Sequence, residues 1–126
     1  MALHNNIQNL IIAFETATQP VAGEDYRCYG DAIIQLTAHD DYIRLETIRA
    51  NMPFNGAGTK AIELLKTLAD EFGVSLYAEC SLIDITGHAT LKELKDWYAR
   101  RGFVEEAGDM AYHPSETAIL PLALAA

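Results

Sequence analysis

Between Tyr42 and Cys80 the chain reads as a strand, a glycine-bearing turn, a helix and a second strand. In "YIRLETIRA" the side chains alternate, with Tyr42, Arg44, Glu46 and Ile48 on one face and Ile43, Leu45 and Thr47 on the other. After the turn "NMPFNGAG", Ala61, Ile62, Leu64, Leu65, Leu68, Ala69 and Phe72 recur at helical spacing. Lys60, Glu63, Lys66 and Asp70 fall mostly on the opposite side, and Gly73 is placed to stop the helix in a left-handed cap. "VSLYAEC" follows at once, with Val74, Leu76, Ala78 and Cys80 alternating as a buried strand does. A strand–helix–strand crossover inside a mixed sheet makes the chain an α/β or α+β domain.

The flanks extend this core. Ile7, Leu10, Ile11 and Phe14 predict an amphipathic helix from about Asn6 to Thr18, ended by Gln19, Pro20 and Gly23. "AIIQLTA" is a strand that turns at His39, Asp40 and Asp41 into the one already described. A second helix begins with a Thr90–Glu93 capping box, carries Leu91, Leu94, Trp97 and Tyr98 on its apolar side, and ends at Gly102. Short strands are expected near Phe103–Glu105 and Met110–Tyr112, and the apolar tail "TAILPLALAA" is a last strand or a docked extension. With 126 residues, half of them hydrophobic and no internal linker, residues 1–126 are read as one domain.

The formal charge of -9 argues against general binding to nucleic acid or anionic lipid, which are held by surplus Lys and Arg. It suits a cationic small-molecule or side-chain partner. The two cysteines, Cys28 and Cys80, have no paired spacing, and no His, Cys, Asp or Glu pair has the spacing of metal ligands. The N-terminal apolar run lacks a basic lead and is interrupted by Gln8, Asn9 and Glu15, so neither a signal peptide nor a membrane span is expected. The expectation is a soluble cytoplasmic protein.

The turn carries the chemistry. Leading amides of a helix have no internal acceptor, and the helix dipole adds positive potential there. Gly56 and Gly58, with the Thr59 hydroxyl, stand where a chain can fold closely around a pyrophosphate. The loop lacks the Gly-Lys-Ser/Thr ending of a Walker motif and the third glycine of a dinucleotide fingerprint. A tight packing turn is the plainer alternative.

Taken in order, "YIRLETIRA", "NMPFNGAG", "TKAIELLKTLADEFG", "VSLYAEC" and "LKELKDWYARRGF" resemble the core of the GCN5-related N-acetyltransferases. Gly56 and Gly58 match the two small positions of that family's Gln/Arg-x-x-Gly-x-Gly/Ala loop. Tyr98, Gly102 and Phe103 match its Tyr-x-x-x-Gly-Phe helix end. The resemblance covers roughly Ala32 to Tyr112. It implies a mixed central sheet flanked by helices, with an abbreviated N-terminal region, and a CoA thioester, acetyl-CoA above all, as acyl donor to an amine. Ile48 is then expected at the acyl and pantetheine region, with the amides of Phe54, Asn55, Gly56, Ala57, Gly58 and Thr59 facing the pyrophosphate. Tyr98 is the candidate general acid for the leaving thiolate. Glu46 is the candidate base for the amine; its plainer role is an exposed residue paired with Arg44 or Arg49.

This chain departs from the family pattern at Pro53, where Gln or Arg is usual, and at Leu91, which replaces an Asn seven residues before the tyrosine. Only one helix precedes the strands, so the acceptor site is either open or completed by a second subunit of a homodimer. These departures also fit a second reading, a catalytically degenerate module of the same fold that acts by binding protein.

Overall fold

The computed structural model describes residues 2–23, 25–50, 56–79 and 91–114. Helix α1 (Ala2–Ala17) leads into β1 (Gln19–Pro20), β2 (Arg27–Tyr29), β3 (Ala32–Ala38) and β4 (Tyr42–Ala50). Helix α2 (Ala57–Phe72) and β5 (Ser75–Ala78) follow, then α3 (Leu91–Ala99), β6 (Val104–Glu106) and β7 (Asp109–Tyr112). The seven strands form one sheet in the order β1-β2-β3-β4-β5-β7-β6. Only β4 and β5 pair in parallel, joined through α2 as the crossover requires. The mixed sheet with helices against it is the architecture expected.

One apolar core unites all three helices with one face of the sheet. Ile7, Leu10 and Phe14 of α1, Ile62 and Leu65 of α2, and Leu94 and Tyr98 of α3 share it with Ile34, Ile43, Leu45, Leu76 and Met110. The α2 stripe is buried as its periodicity requires, and Gly73 closes that helix at φ 68°, ψ 39°, a conformation that side chains disfavour. Gly102, at φ 94°, turns the chain after α3 so that Phe103 comes back beneath Tyr98, its N–H donating to the Tyr98 carbonyl at 3.2 Å.

Two features depart from the sequence reading. The short strand β1 lies where a helix terminator was expected, and β2 lies where no element was expected. In β4, the pairing runs Gln35 with Thr47 but Leu36 with Leu45, so Glu46 is the extra residue of a bulge. Alternation changes phase there. Ile48 therefore leaves the Arg44 and Glu46 face, pairs with buried Ile34 and packs against the core. The expectation that Glu46 and Ile48 share a face is corrected.

Tyr112 ties β7 to α2, its hydroxyl donating to Asp70 Oδ1 at 2.9 Å and Oδ2 at 3.0 Å. Burial, then this hydrogen bond and the Asp70 charge, push its phenol up to about 12. An unfolded tyrosine titrates near ~10, so the folded chain holds this proton more tightly. The resulting stabilisation is complete below pH ~10 and is lost as pH rises through about 12. Tyr112→Phe should cost about 1 kcal/mol at neutral pH. The deficit, measured by urea melts, should shrink across that alkaline window; a pH-independent deficit would assign the effect to packing.

Candidate functional site

The parallel ladder between β4 and β5 is short. It runs from Tyr42–Ser75 to Leu45–Ala78, and Glu79 N–H adds one further bond to the Leu45 carbonyl at 3.3 Å. Beyond it β4 continues to Ala50 with β3 as its described neighbour. The parting falls at the Glu46 bulge, where a strand bends and twists more strongly. It also falls at the carboxyl ends of two parallel strands, the usual place for a ligand crevice in α/β sheets.

Helix α2 starts beside the β2–β3 hairpin, which lies toward the Ala50 end of β4. Gly56 holds φ 86°, ψ 0° with no side-chain cap, and the first helical bond is Lys60 N–H to Gly56 carbonyl at 3.0 Å. A Cβ on Gly56 meets nothing within 4 Å, so the backbone angle, and not crowding, calls for glycine. Gly58 differs. A Cβ there would stand 3.7 Å from the Trp97 ring, an ordinary contact, so Gly58 marks where α3 packs on the first turn of α2. The same turn borders an open cleft of about 420 Å³ lined by Tyr29, Gly30, Asp31, Ala57 and Lys60.

Arg101 joins the two helices. Its Nη2 donates to Thr59 Oγ1 at 2.9 Å and its Nη1 to the Trp97 carbonyl at 2.8 Å, while the guanidinium lies 4.0 Å from the Trp97 ring centre. Nε is buried and has no hydrogen-bond partner among the described residues. Burial, then the charge of Arg100, lowers the pKa of this arginine. A partly desolvated cation thus sits against the α2 N-terminus, adding to the positive end of the helix dipole. The Arg101–Thr59 contact spans 42 positions and leaves no local signature in the sequence.

Tyr98 is 2 % exposed, with its ring 5.1 Å from Trp97 and 5.1 Å from Phe103. Glu46 lies 3.6 Å from Arg44, the pairing foreseen as its plainer role. Arg44 also reaches Asp109 at 3.1 Å and Glu79 at 3.4 Å. Its pKa is raised by these acids, although burial, the largest single influence, works the other way. Glu46 therefore stands at the crevice on the sheet face opposite the core, whereas Tyr98 belongs to the helix side. Gly56, Ala57, Gly58 and Thr59 gather at the start of α2, and Ile48 lies on the β4 segment beyond the ladder. Phe54, Asn55, Pro53, Thr90, Cys80 and the tail lie outside the described residues. Cys28, half-buried in β2, is a free thiol.

Among the described residues no cluster of three His, Cys, Asp or Glu could hold a metal, and no helix is long and apolar enough to cross a membrane. No family model matches the sequence, and no curated protein matches it. Among solved structures, the crystal structure of the anti-CRISPR protein AcrVA5 is similar, with a TM-score of 0.56 at 14 % identity. The match covers 68 % of this chain and 93 % of that one. The likeness is one of fold. It accords with the seven-stranded mixed sheet flanked by helices.

Proposed function

We propose that this chain is an acyl-CoA-dependent N-acyltransferase, moving an acetyl group from acetyl-CoA to an amine by direct attack. The observation that carries this reading is the parting of β4 from β5 at the Glu46 bulge, on the strand that precedes the left-handed Gly56 entry into α2. The residues present suit a CoA ester. The backbone edge of β4 from Glu46 to Ala50 suits the amide-bearing pantetheine arm, and the α2 N-terminus with Lys60 and Arg101 suits its phosphates.

The thioester supplies the electrophilic carbonyl. A C–N bond forms as the C–S bond breaks. Glu46 takes the proton of the amine, directly or through water, and Tyr98 gives its phenolic proton to the departing thiolate. Gly56, Ala57, Gly58 and Thr59, with Phe54 and Asn55 before them, orient the donor through their backbone.

A second reading, a binding module without catalysis, is favoured by the buried ring of Tyr98 and by the ion pair that already engages Glu46. Acetyl-CoA at one hundred times its Kd should stabilise the folded chain by about 2.7 kcal/mol. Calorimetry and thermal melts check this. No binding at millimolar acetyl-CoA defeats the acyltransferase; binding without transfer to any amine favours the module.

A further inference from the structure

The three described helices all join the core on one side of the sheet, leaving the other face without a helix among the described residues. On that face lies a cleft of about 290 Å³ lined by Asp41, Tyr42, Arg44, Tyr77 and Asp109. The Tyr42 and Tyr77 rings meet edge to face, centres 5.0 Å apart and planes at 72°, and form an aromatic corner. His39 stacks on Tyr42 at 4.4 Å, which fixes the outer ring. Burial, then Glu106, whose carboxylate lies 3.5 Å from the hydroxyl, raises the Tyr77 pKa, so that ring remains a neutral phenol.

The charge around this corner is unbalanced. Among the described residues Arg44 is the guanidinium at this cleft, and Asp109, Glu79 and Glu46 surround it. Asp41 lines the same cleft and makes no ion pair with any described residue. Among the described residues the carboxylates of Asp41, Asp109, Glu79 and Glu46 thus outnumber the Arg44 guanidinium. π-Faces bounded by carboxylates attract ammonium groups. The negative region is also elongated. Glu46 and Glu79 flank the point where β4 leaves β5, and Tyr42 lies four residues back along β4, roughly 13 Å at strand rise.

We infer that this sheet face binds a small alkyl polyamine, with one ammonium over the Tyr42–Tyr77 corner beside Asp41 and another nitrogen at the Glu46–Glu79 pair. The cleft volume suits a slender molecule, and the spacing requires two charged centres instead of one. This assignment rests on the acyltransferase reading for its consequence: the nitrogen at Glu46 is the one acylated, and the distal ammonium sets which amines are accepted.

Binding can be tested without any CoA ester, by titrating the full chain with spermidine at low ionic strength in a calorimeter. Spermidine should bind at least tenfold more tightly than butylamine. Asp41→Asn and Tyr42→Leu, both at the exposed end of the β3–β4 hairpin, should each weaken spermidine at least fivefold. Glu71→Gln, an exposed acid on α2, should leave the affinity unchanged. Equal affinity for the two amines overturns the assignment, as does an equal loss in all three variants, which would reveal only diffuse attraction to an acidic surface. Spermidine binding without acetyl-CoA binding defeats the acyltransferase alone; the converse result defeats the polyamine site alone.

Discussion

Tyr98→Phe should lower kcat by roughly 10²–10⁴-fold, the span that general acid catalysis typically supplies, with acetyl-CoA affinity nearly unchanged. The substitution removes one O–H and keeps the ring. At 2 % exposure, the ring packs against Trp97 and Phe103 by its faces and edges, and phenylalanine preserves both contacts. A slower enzyme would therefore report the missing proton and not a displaced helix. The effect should shrink for an acyl donor whose thiol is more acidic, because a better leaving group needs less protonation. Unchanged turnover with every donor would assign Tyr98 wholly to the aromatic core.

Much of the frame is legible in the sequence because it is local. The α2 stripe, the Gly73 stop and the alternation of "VSLYAEC" each follow from spacing along one element. The order strand, turn, helix, strand then leaves little freedom in how β4 and β5 pair. What the sequence hides depends on pairing between distant segments. "YIRLETIRA" alternates without interruption, and the bulge at Glu46 exists only because β3 pairs across it with one residue fewer. Strands of two and three residues, such as β1 and β2, are too short to carry a period. Arg27 of β2 is recognised only once its guanidinium is seen bonding Thr18 Oγ1 at 2.7 Å and the Glu15 carbonyl at 3.0 Å.

The candidate site divides in the same way. The Gly56 entry to α2 is visible as a glycine before a helical stripe, and its positive φ supplies the physical reason. Gly58 carries the same letter without that reason: its φ is not positive, and a Cβ there would meet Trp97, from a helix more than thirty residues later, at an ordinary 3.7 Å. Likewise, Arg44 at i−2 from Glu46 suggests an ion pair on a strand face, but the convergence of Glu79 and Asp109 on the same guanidinium requires β5 and β7 to be in place. A motif read along the chain finds the turn; the charge pattern around it comes from topology.

Phe103→Ala should destabilise the fold by about 3–5 kcal/mol, the cost of deleting a buried aromatic side chain, and lower its melting point by roughly 10–20 °C. Phe103 is 2 % exposed and stands between Tyr98, at 5.1 Å, and Tyr112, at 5.5 Å. It links α3 to β7 through tilted rings, and the positive φ of Gly102 turns the chain to bring it there. If Tyr98 supplies the proton, removing Phe103 also removes one wall that holds the phenol, so kcat should fall even well below the melting point. Phe14→Ala is the control. Phe14 is buried to a similar degree on α1, outside the Tyr98–Phe103–Tyr112 ring contacts, and its loss should cost comparable stability with kcat retained at low temperature. Equal kcat losses in the two variants would trace the effect to general loosening of the core. A loss confined to Phe103→Ala, partly restored by Phe103→Leu, would instead show that the Tyr-x-x-x-Gly-Phe element both holds α3 in the core and positions the acid.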